Sequence, residues 1–212
     1  MIARGFNVAM EVAAEFIARS EPNFKLDRWL TSRGVDVGHA WNMVGPICAH
    51  DIMLWPRGIF NFAEPAADNV FLDDVEFADR GDDVCAVVHI ARDVDDATPV
   101  DLVAWRPENP ARIFRHLGEA VMLGASQLDN PASYFAGDAL LVHRTALDWL
   151  AAGCRGVVIL DLPEFVVRIS AMPAHPDGYA LAATDLTHAK SLRASIGSVD
   201  HVRILVPLED AV

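Results

Sequence analysis

Lysine is almost missing from this chain. Lys25 and Lys190 are its only two, and arginine supplies the rest of the positive charge, a pattern we read as GC-rich coding bias. Long apolar runs are missing as well. No stretch approaches the roughly 20 residues of a membrane-spanning helix, and the longest candidates, Val157–Leu160 and Ile204–Pro207, are strand-sized. The N-terminal segment interrupts its apolar residues with Arg4, Glu11, Glu15 and Arg19, an amphipathic helix pattern rather than a secretory leader. Cysteine is scarce, odd in number and widely spaced (Cys48, Cys85 and Cys154), which excludes a disulfide framework and points to free thiols in the cytoplasm. No G-x-G-x-x-G, G-x-x-x-x-G-K-[ST], G-x-S-x-G, C-x-x-C or H-E-x-x-H motif occurs, which argues against the common nucleotide-binding, hydrolase, zinc-finger and zincin classes.

Negative charge is abundant and unevenly placed. The formal net charge is −13. Twelve carboxylates lie between Glu64 and Asp101 against only Arg80 and Arg92, so ten of the thirteen excess charges fall in that stretch. Such a field repels phosphate backbones and anionic lipid and favours cations or basic protein surfaces. We therefore expect no direct nucleic-acid binding, no membrane association and a basic protein partner. Asp73, Asp74, Glu76, Asp79, Asp82 and Asp83 form the densest contact candidate. The plainer alternative is that this charge only keeps the protein soluble.

At 212 residues, with 52% apolar content, the chain can bury a core without covalent staples. Apolar spacing predicts helices over Asn7–Arg19 and Lys25–Ser32. Val35–Phe62 is broken by Gly38, Gly45, Pro46, Pro56 and Gly58, and a hairpin is expected within it from Ile52–Trp55 and Ile59–Phe62. A short strand is expected around Val75–Phe77, and a second hairpin from Val84–Ala91 and Pro99–Trp105. Ile113–Leu117 reads as a strand, Glu119–Leu123 as a helical turn and Gln127–Gly137 as a loop. Strand and helix then alternate: Ala139–His143, Thr145–Ala152, Val157–Asp161, Pro163–Ser170, Tyr179–Ala183, Thr184–Ser195 and Val202–Pro207. Short strands alternating with helices imply right-handed crossovers and a parallel sheet. The expected fold is thus mixed: an α+β region over residues 1–137 carrying antiparallel hairpins and the acidic segment, and a small parallel β-α-β-α-β unit over 138–212. A single composite domain is the alternative.

Three groups of residues invite chemistry. Asp161, Asp185 and Asp210, with Glu209, follow the last three expected strands. Ligands of open parallel sheets bind outside the carboxyl ends of the strands, and carboxylates gathered there suit Mg²⁺ in phosphoryl-transfer or hydrolytic catalysis. Asp161 and Asp185 would be the catalytic pair. The competing reading makes Asp161 a helix cap and places Asp185 in a first helical turn. The layout is similar to Toprim domains, but Asp161 stands where they carry glutamate and no D-x-D follows the last strand. His39, Cys48, His50 and Asp51 offer zinc-type ligands at no recognised zinc spacing. Asp93-Val94-Asp95-Asp96 resembles the start of a calcium loop, yet Thr98 and Ala104 replace its glycine and glutamate, so it reads as a solvated turn. Apart from that possible Mg²⁺, no cofactor is expected.

Asp101-Leu102-Val103-Ala104-Trp105 followed by Pro107 and Pro110, the run Trp149-Leu150-Ala151-Ala152-Gly153-Cys154-Arg155-Gly156, and Thr184-Asp185 ahead of the last helix resemble uncharacterised proteins of alphaproteobacterial prophages and mobile elements. The resemblance covers the latter half of the chain and implies no catalytic residue. It frames the first functional expectation, a cytoplasmic mobile-element accessory protein that binds a protein through its acidic surface. The second is the metal-dependent enzyme built on Asp161 and Asp185.

Overall fold

The computed structural model describes residues 2–20, 24–50, 86–95, 97–172, 178–197, 199 and 201–206. Two sheets organise them. The first has the order β1-β2-β3-β4, antiparallel throughout, from β1 (Cys48–His50), β2 (Ala86–Arg92), β3 (Pro99–Arg106) and β4 (Asn109–Arg115). Helix α1 (Ile2–Arg19) places Ala13 and Phe16 on one face of this sheet, against Val88, Ile90, Leu102, Ala104 and Phe114. The opposite face presents Val87, Ala91, Val103, Trp105 and Ile113 to α2 (Phe24–Ser32) and α3 (Val37–Val44). Cover on both faces explains why β2 and β3 are apolar at successive positions rather than alternating.

The β2–β3 connection is a turn held by Asp95. Its carboxylate accepts the Ala97 and Thr98 amides at 3.0 and 2.8 Å and the Thr98 hydroxyl at 2.6 Å. Those bonds hold its carboxyl below the usual range. The calcium-like run is therefore an Asx turn, as its missing glycine and glutamate suggest.

The second sheet has the order β5-β7-β6-β8-β9. Strands β6 (Leu140–His143), β7 (Val157–Ile159), β8 (Tyr179–Ala183) and β9 (Val202–Leu205) are parallel, and β5 (Met122–Leu123) pairs antiparallel at one edge. Helix α5 (Ala146–Ala151) follows β6 and packs on the face turned toward the first sheet, through Ala146, Trp149 and Leu150. Helices α6 (Leu162–Ala171) and α7 (Leu186–Ile196) pack on the other face with Phe165, Ile169, Ala189, Leu192 and Ile196. The mixed α/β class expected from the sequence is the class observed.

Three features differ from expectation. Helix α3 spans part of the glycine-interrupted stretch, because Asp36 accepts the His39 amide at 3.0 Å as its N-cap and Gly45 ends it at φ 77°. The expected Glu119–Leu123 turn ends in edge strand β5, and a short helix, α4 (Ala125–Leu128), runs into the expected Gln127–Gly137 loop, which carries a 3-10 turn over Pro131–Gly137. Finally, β6 inserts between β7 and β8, so those two strands are not neighbours. Among the described residues no helix is long and apolar enough to cross a membrane.

Candidate functional site: the carboxyl edge of the parallel sheet

Connections leave β6 and β8 in opposite directions, β6 toward β7 and β8 toward β9. That reversal is a topological switch point, where open α/β sheets form a crevice at their carboxyl ends. Arg144 and Asp185 stand there. Arg144 Nη2 donates to Asp185 Oδ1 at 2.7 Å, and both side chains are about half exposed. Asp185 is also the N-cap of α7, accepting the His188 amide at 2.9 Å. That amide, with Arg144 beside it, holds its carboxyl below the usual range. His188 turns its ring back, and its Nδ1 lies 3.1 Å from the Thr184 hydroxyl. Burial and the nearby Arg144 lower its pKa. The result is a reciprocal cap at the start of α7.

Asp161 does the same work at α6. Its Oδ1 accepts the Glu164 amide at 3.0 Å, and its Oδ2 pairs with Arg115 Nη1 at 3.2 Å. Arg115 is buried and also donates to the Ala120 carbonyl at 2.9 Å. Asp161 and Asp185 therefore follow strands with β6 between them, and each carries its own arginine and its own cap. A divalent cation at either would have to displace a guanidinium. Asp210, the third member of that set, and Glu209 lie outside the described residues. Among the described residues no group of three or more His, Cys, Asp or Glu side chains is placed to hold a metal ion. Of the zinc-type set, His39 Nε2 lies 3.1 Å from the Gly153 carbonyl, while Asp51 and the side chains of Cys48 and His50 lie outside what is described. Asp73, Asp74, Glu76, Asp79, Asp82 and Asp83 also lie outside the described residues.

What the carboxyl edge does hold is a cavity of about 350 Å³, within the size range of small-molecule pockets. Its apolar wall is Ile113 of β4 with Val158, Ile159 and Leu160 at the end of β7. Its polar groups are Arg112 and Asn109 of β4 and Arg144 beyond β6. Arg112 lies over the Phe114 ring, 5.1 Å from its centre. Among the described residues no carboxylate lines the cavity. The cleft thus joins the two sheets, with the antiparallel β4 as one wall and the carboxyl ends of β6 and β7 as the other.

Sequence reasoning searched strand ends for carboxylates and missed these arginines. Arg144, directly after an apolar strand, was the available signal. Arg112 gave none, because the place of β4 on the cleft wall depends on packing between sheets. Compared with protein-family models, curated proteins and solved structures, the chain finds no significant match.

Proposed function

We propose that this protein binds a small organic molecule in the cleft between β4 and the carboxyl ends of β6 and β7. The observation that carries the reading is the cavity itself. It lies between β4 and the carboxyl ends of β6 and β7, beside the β6/β8 switch point, with an aliphatic wall and a few polar groups. An aliphatic wall contributes affinity by burial, and sparse polar groups orient the ligand. The test is a screen of small organic molecules of every charge class, read by backbone amide shifts at Arg112, Ile113 and Val158–Leu160. The expected result is shifts confined to the cleft that disappear in Ala111→Trp, which blocks the rim from an exposed position. Shifts that persist in Ala111→Trp, or no cleft shifts at all, would overturn the reading.

A second reading has its own observation. Ten of the thirteen excess negative charges lie between Glu64 and Asp101, a concentration that favours docking of a basic protein through Asp73, Asp74, Glu76, Asp79, Asp82 and Asp83. Such binding should weaken steeply with added salt and compete with duplex DNA for the same partner. Binding that ignores salt would rule it out.

A further inference from the structure

We infer that the ligand of this cleft is a short extended peptide, which adds as a further strand to the outer edge of β4 and places an aliphatic side chain in the cavity. This rests on the cleft-binding reading above and specifies its chemistry. β4 is the last strand of its sheet, with β3 on one side only. The His116 amide donates to the Leu102 carbonyl at 2.9 Å, and Arg115, Phe114 and Ile113 then stand opposite Val103, Ala104 and Trp105. Opposed residues of an antiparallel pair alternate between bonded and non-bonded. Leu102 with His116 and Ala104 with Phe114 are thus the bonded pairs, and Ile113 turns its N–H and C=O away from β3. No strand among the described residues takes them up. Ile113 also lines the cavity, and Asn109 and Ala111 of the same strand are exposed beside it.

The end strand of the other sheet, β9, is treated differently. The Tyr179 amide of β8 donates to the His201 carbonyl at 2.9 Å. In a parallel pair every second residue bonds to a given neighbour, so the backbone groups of Val202 and Ile204 point outward. There the Val202 amide donates to the Val199 carbonyl at 3.1 Å, and Arg193 Nη2 donates to the Ile204 carbonyl at 3.1 Å. A turn and a side chain thereby blunt that edge against strand addition. Among the described residues β4 has no such guard at Ile113. A peptide added there gains main-chain hydrogen bonds, and one set of its alternate side chains meets the aliphatic wall of Val158, Ile159 and Leu160. The net charge of −13 repels acidic peptides and a second copy of this chain and attracts a basic peptide. The occupant is therefore a basic peptide with aliphatic residues between its cationic ones.

The probe is the blocked pentapeptide lysine-valine-leucine-valine-lysine, titrated against the whole chain and followed by backbone amide shifts and hydrogen exchange. It should shift the cleft amides, slow exchange at the Ile113 amide roughly tenfold or more, and fail to bind Ala111→Trp. Only alternate residues of an added strand face β4. Methylating the leucine nitrogen and methylating both valine nitrogens should therefore differ, one costing roughly tenfold or more in affinity and the other little. Equal loss from both patterns, or loss from neither, would overturn strand addition. Exchanging the lysines for glutamates should weaken binding, and most at low salt; a glutamate peptide that binds as tightly would overturn the basic class. Isoamyl alcohol, an aliphatic chain with no amide, should bind more weakly, and equal affinity would overturn the peptide class while leaving the cleft reading standing. Shifts along β4 that grow with protein concentration alone would assign the edge to a second copy and overturn the proposal. If the peptide leaves the cleft unperturbed while a molecule of the wider screen perturbs it, the peptide class falls alone; if nothing does, both readings fall.

Discussion

His89 is a buried histidine whose ionisation works against this fold. It lies on β2, wholly buried, with its ring stacked on Trp149 at 6.3 Å. Its Nδ1 is 3.3 Å from the Ile90 carbonyl, and its Nε2 has no hydrogen-bond partner among the described residues. Burial pushes its pKa down to about 4 from an ordinary 6.5. Because the folded value is depressed, the unfolded chain takes up the proton first. Stability is complete above pH 6.5 and is lost as pH falls toward about 4, by about 3 kcal/mol in all. Urea unfolding measured across that interval should show the decline, and His89→Leu should flatten it. A slope that survives the substitution would assign the acid sensitivity elsewhere. Asp101 is the opposite case, a buried carboxylate with partners. It accepts the Leu117, Glu119 and Ala120 amides at 2.8, 2.9 and 3.2 Å and thereby fixes the bend between β4 and β5. Burial raises its carboxyl above the ordinary value, and those three amides pull it back. Asp101→Ala leaves them without their acceptor and should cost about 3 kcal/mol in chemical denaturation. A change under about 0.5 kcal/mol, the usual surface range, would show that water replaces the carboxylate there.

At the scale of elements, the two caps that resemble a metal pair predict unequal costs. Asp161→Ala removes the α6 cap together with the carboxylate partner of the buried Arg115, so a loss of about 2 kcal/mol or more is expected. Asp185→Ala removes a cap and a half-exposed ion pair, and about 1 kcal/mol should suffice. Thermal unfolding of both variants checks the ordering, and adding Mg²⁺ should leave the difference intact. If Mg²⁺ stabilised the parent chain and neither variant, the metal reading would gain the ground the caps now hold. Gly156 closes the junction between α5 and β7 at φ 84°, and a Cβ there would meet the Leu141 carbonyl oxygen at 2.3 Å. Gly118 has φ 74° and open space around it. Gly118→Ala should therefore cost only its backbone strain, about 1 kcal/mol, and Gly156→Ala clearly more, because β7 must move. Such junctions also show what the sequence could reveal. Thr145 before an apolar helix, with Asp148 three residues on, was readable as a cap, and the Thr145 hydroxyl does accept the Asp148 amide at 3.0 Å. The two-residue β5 was not readable, because no periodicity fits in two residues and only pairing with β7 makes it a strand.

Across the whole molecule, the sequence carried the alternation that implies a parallel sheet but not the order of its strands. Nothing local in Val157–Ile159 or Tyr179–Ala183 says that β6 will lie between them, and the carboxylates expected to converge are separated for that reason. The cleft was hidden by the same cause, since it forms only where the two sheets meet. That meeting has a thermodynamic consequence. One continuous core contains Val87, Val103, Trp105 and Ile113 from the first sheet together with Leu123, Trp149, Leu150 and Val158 from β5, α5 and β7. Residue 138 cuts through this arrangement, because β5 lies before it and pairs with β7 after it. A fragment of residues 138–212 would lose the edge strand and expose one face of the parallel sheet, including Trp149 and Leu150, to water. Burial of such side chains is worth roughly 1.5–3 kcal/mol each, against a total stability of only about 5–15 kcal/mol for a domain. The fragment should therefore lack cooperative unfolding and sharp amide dispersion, and the whole chain should unfold in one transition seen alike by tryptophan fluorescence and far-ultraviolet circular dichroism. Trp149→Ala should lower both signals' midpoints together. Two separated transitions, or a fragment that folds alone, would show that the shared core is an interface between independent domains, and the cleft would then open and close with their motion.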